Sequence, residues 1–169
     1  SPLCHNHYSI TTTFIKTISQ VNSTTTIFHF AKYLKFRDLK IIQTPLNDCF
    51  IIEPQIFYDH RGEFLEAYNK KKLDEKLGFQ THFVQDNHSV SKQYVLRGLH
   101  YQNVSPQAKL IRVIKGRIQD VVVDARKDSS TFGQHFSIIL DDVKHQQLFI
   151  PKGYLHGFLA LEEQTIITY

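Results

Sequence analysis

The chain has 169 residues and a mass of 19.8 kDa, with 41% hydrophobic and 21% charged residues, which suits one globular domain or one domain with an appendage. No apolar run reaches the roughly 18 residues of a membrane-spanning helix, and two cysteines are too few for a disulfide framework or a four-cysteine zinc site. Of the net charge of +4, residues 1–38 contribute +3, so the rest of the chain gives little support for a nucleic-acid or membrane partner.

Residues 1–38 differ in composition from the remainder. They contain seven threonines and four serines, a single acid and no glycine. A targeting segment would share this composition, but the arginine content and amphipathic periodicity of a transit peptide are missing. We therefore expect residues 1–38 to be a disordered or non-native extension, and residues 39–169 to form the domain.

From residue 41 onward the pattern is that of β-structure, because short apolar runs alternate with turn-rich segments. One short helix is predicted from Lys70 to Leu77, before Gly78. A tight hairpin is predicted at Lys115-Gly116. Strands are predicted near 41–43, 50–52, 63–68, 82–88, 94–101, 108–115, 117–125, 134–140, 146–150, 155–161 and 164–169. The absence of strand–helix alternation argues against a Rossmann fold and favours an all-β sandwich or barrel.

Several polar residues lie within these apolar strands. In the strand that contains Arg97 and His100, regular alternation would place these two side chains on opposite faces. Taken singly, each such residue is more simply explained as a hydrogen-bonded or solvated side chain. Strands of a small barrel direct residues toward a common interior, however, and a shared cavity would bring these residues together.

The segment Pro151-x-Gly153-x-x-His156 resembles the second half of the cupin metal motif. The first half requires two histidines one residue apart, but here the corresponding stretch reads His100-Tyr101-Gln102. A site with His100 and His156 alone lacks the usual third and fourth ligands. We therefore expect a cupin without a metal.

Seven motifs in order make the resemblance more specific. They are Asp59-x-Arg61-Gly62-x-Phe64, Gln85-Asp86-Asn87-x-Ser89, Leu96-Arg97-Gly98-Leu99-His100-Tyr101-Gln102, Gln107-x-Lys109-Leu110, Val123-Asp124-x-Arg126, Thr131-Phe132-Gly133 and Ile150-Pro151-x-Gly153-x-x-His156-Gly157-Phe158. This series resembles the dTDP-4-dehydrorhamnose 3,5-epimerase family over residues 41–169. The resemblance implies a cupin-type jelly-roll barrel, that is, a double-stranded β-helix, with one short helix near 70–77.

The resemblance also implies an activity. The family inverts C3 and C5 of dTDP-4-dehydro-6-deoxy-D-glucose without a cofactor, in the synthesis of dTDP-rhamnose for cell-surface polysaccharides. By resemblance His100 is the base, Lys109 stabilises the oxyanion and Tyr169 is the proton donor. The implied substrate-binding residues are Arg61, Glu66, Gln85, Asp86, Asn87, Arg97 and His156.

Some expectations concern the chain as a whole. The family's usual C-terminal region, with the aspartate that orients the catalytic histidine, has no counterpart here, so we expect a C-terminally incomplete domain with weak or no activity. A cytoplasmic homodimer that binds a dTDP-sugar, without nucleic acid, membrane or metal, is the expected form. Four alternatives stay open: an epimerase that inverts only C3 or C5, a ketoisomerase of the same family, a cupin that binds nucleotide sugars without catalysis, and a metal-dependent cupin oxygenase.

Overall fold

A computed structural model describes residues 39–169, and the expectation of an extension at 1–38 lies outside the described residues. The described chain forms twelve strands and one helix. They are β1 (Lys40–Gln43), β2 (Phe50–Glu53), β3 (Ile56–Asp59), β4 (Gly62–Leu65), α1 (Lys70–Leu77), β5 (His88–Ser91), β6 (Leu96–His100), β7 (Lys109–Lys115), β8 (Arg117–Asp124), β9 (His135–Asp141), β10 (Gln147–Ile150), β11 (Tyr154–Ala160) and β12 (Thr165–Thr168).

The strands form two main antiparallel sheets and a hairpin. The first sheet has the order β1-β2-β10-β7-β12-β5, the second has the order β6-β11-β8-β9, and β3 pairs only with β4. Neighbours in these sheets are mostly distant in sequence, as in a jelly roll, where strands alternate between two facing sheets. The predicted all-β, cupin-type fold is confirmed.

The main core lies between the two sheets. On β7, Ile111 and Val113 are buried and project to the same side, and on β8 Ile118 and Val122 do the same. Their period of two is the alternation expected of half-buried strands. This core contains Leu46, Cys49, Ile111, Val113, Ile118, Val122, Leu140, Leu148, Ile150, Tyr154, Phe158 and Ile167.

Helix α1 has the predicted position. The Asn69 side chain caps its N-terminus by accepting a hydrogen bond from the Lys72 backbone N–H, and Gly78 ends it at a φ of 78°. Leu73 is buried in a second cluster with Ile52 and Phe149, strand residues of the six-stranded sheet. The helix therefore packs against the outer face of that sheet. No helix of the described part is long and apolar enough to cross a membrane.

Two strand predictions were wrong. Residues 82–87 form no strand, and pairing begins only at His88, where β5 meets β12. Within this segment only Asn87 exchanges main-chain hydrogen bonds with a neighbour, Tyr169. The apolar character on which the strand was predicted comes from Phe83, whose ring packs against Phe149 rather than in a ladder. Strand β3, which pairs only with β4 outside both large sheets, was missed.

Candidate active site

A cavity of about 620 Å³ is lined by residues from both large sheets. Strands β6 and β11 contribute one wall, the start of β7 and the residue after β12 contribute another, and the segment around Pro106 contributes the rest. Five residues predicted from the sequence line it together: Arg97, His100, Lys109, His156 and Tyr169. The convergence that a small barrel allows is therefore present for this group.

The two histidines lie opposite each other on neighbouring strands. In the antiparallel ladder between β6 and β11, His100 is paired with His156 and Arg97 with Phe158. Both Arg97 and His100 line the cavity, so the prediction that regular alternation would put them on opposite faces was wrong. The cause is an irregularity in the register between His156 and Phe158.

His156 has a buried carboxylate partner that the sequence analysis did not identify. Its Nε2 lies 2.8 Å from Oδ2 of Asp120 on β8, whose side chain is fully buried. Oδ1 of Asp120 has no hydrogen-bond partner among the described residues. A carboxylate at this position fixes the orientation and tautomer of the imidazole. The signal was present, since Asp120 occupies a core-facing position of β8 between Ile118 and Val122.

Lys109 enters the cavity from the start of β7. Burial lowers the pKa of its ammonium from the ordinary lysine value. Its Nζ lies 5.7 Å from the centroid of the Tyr169 ring, a cation–π distance, and no carboxylate within residues 39–169 forms an ion pair with it. The ammonium is therefore available to a group that enters the cavity.

Tyr169 is held in place by its main chain. Asn87 donates from its backbone and its side chain to the Tyr169 carbonyl oxygen, at 2.8 and 3.1 Å, and the Tyr169 N–H donates back to the Asn87 carbonyl at 3.0 Å. The Tyr169 ring packs against the main core. These contacts fix the backbone from which the phenol projects.

A second cavity of about 450 Å³ contains the other predicted polar motif. Gln85, Asp86 and Asn87 line it, and Lys109 and Tyr169 line both cavities. The Gln85 side-chain amide donates to Oδ1 of Asn87 at 2.7 Å. The two cavities therefore share the Lys109–Tyr169 pair as a common border.

Two predicted substrate-binding residues line neither cavity. Arg61 lies in the turn between β3 and β4, where it hydrogen-bonds Asp59 and lowers the pKa of that carboxyl to about 2. Glu66 follows β4 and accepts a hydrogen bond of 2.8 Å from Lys72. A role for these two residues at the substrate stays a prediction.

The described residues offer little to a metal ion. No group of three or more histidine, cysteine, aspartate or glutamate side chains lies together within residues 39–169. The cavity instead gathers an imidazole, an ammonium and a phenol, which are groups that move protons and stabilise negative charge.

Comparison with known proteins identifies the family. The model of the dTDP-4-dehydrorhamnose 3,5-epimerase family matches residues 43–169. The chain belongs to this family. The enzyme of that name from Methanothermobacter thermautotrophicus is 46% identical over 132 residues, which are 78% of this chain and 71% of that protein.

Solved structures agree with this assignment. The Bacillus anthracis enzyme, crystallised with TDP and PPi bound, is 48% identical, has a TM-score of 0.73 and covers 77% of this chain and 75% of its own. The Legionella pneumophila enzyme, solved in complex with dTDP-4-keto-L-rhamnose, is 45% identical with a TM-score of 0.74, over 77% of this chain and 69% of its own.

Proposed function

We propose that the chain is an epimerase that inverts C3 and C5 of dTDP-4-dehydro-6-deoxy-D-glucose and produces dTDP-4-dehydro-L-rhamnose without a cofactor. The observation that carries the proposal is the cavity that His100, Lys109 and Tyr169 line together in a member of this family. Relatives that are 46–48% identical carry the name of the double epimerase, whereas a 3'-monoepimerase from Streptomyces bikiniensis with a similar fold is 29% identical, so the single-site alternative is less well supported. No observation favours the ketoisomerase.

The chemistry follows from the C4 ketone of the sugar. Both C3 and C5 are adjacent to this carbonyl, so removing a proton from either carbon gives an enolate whose charge rests on the C4 oxygen. Inversion requires a base on one face of the ring and a proton donor on the other. We assign the base to His100 and the donor to Tyr169.

Lys109 is assigned to the enolate oxygen. Burial makes its ammonium costly to keep charged, as its lowered pKa indicates. An anion that forms beside it relieves that cost, and the attraction is strong in a cavity from which the substrate excludes water. Lys109 therefore stabilises the enolate more than it stabilises the neutral ketone.

The remaining predicted residues are assigned to substrate binding. His156 donates its Nε2–H to Asp120, so its Nδ1 is assigned to accept a hydrogen bond from a sugar hydroxyl on the wall formed by β6 and β11. Arg97 and Arg61 suit the diphosphate, because a guanidinium hydrogen-bonds phosphate oxygens in pairs. Gln85, Asp86 and Asn87, in the adjoining cavity, suit the polar edges of the nucleoside, and Glu66 its hydroxyl groups.

We further propose that the protein acts as a cytoplasmic homodimer. Large apolar side chains are exposed on the β3–β4 hairpin, at Tyr58 and Phe64, and on the edge strand β6, at Leu96 and Leu99. Such a surface is the kind that a second copy covers. Sedimentation equilibrium should give twice the chain mass, and a monomer at micromolar concentration would contradict the dimer.

The proposed function is tested by following the sugar by proton NMR. Prolonged incubation of the protein with a stoichiometric amount of dTDP-4-dehydro-6-deoxy-D-glucose should yield the ring couplings of the L-configured product even if turnover is weak, and unchanged couplings would contradict the proposal. The variant His100→Asn should lower the rate by about 100- to 10,000-fold. The matched variant His135→Asn, on the exposed edge strand β9, should leave it unchanged.

Tyr169→Phe separates the base from the donor. His100 would still remove a proton and return one on its own face, so deuterium from D2O would enter the substrate without inversion. If the variant lost both deuterium exchange and inversion, the assignment of Tyr169 as the donor would be contradicted.

A further inference from the structure

The ladder between β6 and β11 contains a bulge beside the two histidines. On β6, Gly98 and Leu99 lie between the paired residues Arg97 and His100, whereas on β11 only Gly157 lies between their partners. Two residues therefore oppose one, which is the defining feature of a β-bulge.

The bulge changes which side chains of β6 face the cavity. Successive residues of a regular strand point to opposite faces, so residues three apart, such as Arg97 and His100, would face opposite ways. Here their partners Phe158 and His156 are both buried, two residues apart on the same face of β11. Arg97 and His100 both line the cavity as a result.

Both strands have glycine where they approach each other at the bulge. A Cβ on Gly157 would lie 2.8 Å from the Arg97 carbonyl oxygen and 3.2 Å from the Gly98 Cα. A Cβ on Gly98 would lie 2.6 Å from the Gly157 Cα and 2.7 Å from the His156 carbonyl oxygen, and Gly98 also has a φ of 114°. The nearest obstacle on each side is a backbone atom, which cannot move aside as a flexible side chain can; the one side-chain atom nearby is Leu99 Cδ2, 3.2 Å from the Cβ on Gly157.

We infer that Gly98 and Gly157 are positioning residues of the active site, since their close contact maintains the bulge that brings Arg97 and His100 to the same side of β6. The inference rests on the proposed function in that His100 is taken as the base. Neither glycine touches the substrate by a side chain, so each acts only through the register it permits.

Gly157→Ala is the sharpest test. No positive φ is recorded for Gly157, so alanine meets a steric obstacle there without an unfavourable backbone conformation. Strand β6 is at the edge of its sheet, and its displacement leaves β11, β8 and β9 paired. We expect kcat to fall by about 100-fold, as for small misplacements of reacting groups, while the fold persists.

Gly78→Ala is the matched control. It introduces the same methyl group at a glycine with nothing within 4 Å of the added Cβ, but with a φ of 78°. It should lower the stability of the protein through helix α1 and leave kcat unchanged. If Gly78→Ala and Gly157→Ala reduced kcat equally, the fall in kcat would be explained by reduced stability alone, and the inference would be wrong.

The pH profile and a crystal structure give readouts that a purely structural role would not change. In the wild type, kcat/KM should fall at low pH because the base becomes protonated. In Gly157→Ala the residual reaction no longer uses that base, so this fall at low pH should disappear. The crystal structure of Gly157→Ala should show Arg97 and His100 no longer together in the cavity. If both still line it, the inference is overturned, even if the wild-type protein does not turn over the sugar. A wild type without turnover contradicts the proposed function alone.

Discussion

Replacing His156 with alanine should leave a carboxylate in the core without its only hydrogen-bond partner among the described residues. Asp120 is fully buried, its Oδ2 is bonded to His156 at 2.8 Å, and its Oδ1 is already unpartnered. Leaving a buried acceptor without its donor costs about 1–3 kcal/mol, and more when the acceptor is charged, so we take about 3 kcal/mol or more for this carboxylate. We expect the His156→Ala variant to lose this much free energy of unfolding.

The carboxylate, rather than the lost packing, accounts for most of that loss. Asp120→Asn preserves the shape and retains a side chain that can hydrogen-bond the imidazole, so we expect it to cost only about 1–2 kcal/mol. The double variant, which combines His156→Ala and Asp120→Asn, has no buried carboxylate without a partner at this position. It should therefore be more stable than His156→Ala alone, by at least about 1 kcal/mol.

Urea denaturation of the four proteins at one pH measures this double-mutant cycle. The slopes of free energy against urea must agree, so that only stability is compared. If the Asp120→Asn change destabilised His156→Ala as much as it destabilises the wild type, the two residues would be energetically independent. That result would refute the reasoning from the buried pair.

Three further predictions concern single residues. Lys109→Met should abolish turnover and leave the midpoint of thermal unfolding equal or higher. Burial lowers the pKa of Lys109, so the folded state binds this proton less tightly than the unfolded chain does. Thermal unfolding and the NMR assay check both outcomes, and a lower midpoint would contradict the prediction. Burial alone would raise the pKa of Asp124, but hydrogen bonds from Arg126, Ser129 and Thr131 outweigh it and hold that pKa well below the usual range. Stability from Asp124 is therefore present above about pH 4 and lost at lower pH, so Asp124→Asn should flatten the acid side of the stability profile, whereas an unchanged acid slope would contradict this. Asn69→Ala removes the cap of α1 and should cost about 1 kcal/mol by urea denaturation, with catalysis unchanged; a cost near zero would show that the cap is not needed.

The parts of the fold that follow a local period could be predicted from the sequence. The alternation in β7 and β8, and the helix between Asn69 and Gly78, depend on neighbours close in the chain. The segment 82–87 was wrongly predicted to be a strand because Phe83 packs against the rings of Tyr68 and Phe149 rather than in a ladder, and Val84 is exposed. Local pattern does not distinguish these two environments.

Part of the candidate site could be predicted from the sequence, but its geometry could not. The motifs contain His100, Lys109 and His156, and the family resemblance added Tyr169; the structure brings these four residues to one cavity. Asp120 and His156 are 36 residues apart in the chain, and their contact becomes visible only when β8 and β11 are paired in the sheet.

The bulge was missed for a related reason. It depends on which residue of β11 lies opposite each residue of β6, and a single strand carries no such register. A glycine at Gly98 or Gly157 alone marks a possible close approach, and the facing pair becomes visible only once the sheet is formed.

The measurement that tests the central claim most directly is hydrogen exchange at the sugar carbons. The protein is incubated with dTDP-4-dehydro-6-deoxy-D-glucose in D2O, and the C3 and C5 proton signals are followed by NMR. The proposed mechanism predicts deuterium at both carbons, dependent on His100 and insensitive to His135→Asn. Exchange at one carbon only would contradict the double inversion, and exchange at neither would contradict the assignment of His100, Lys109 and Tyr169 as a proton-transfer site.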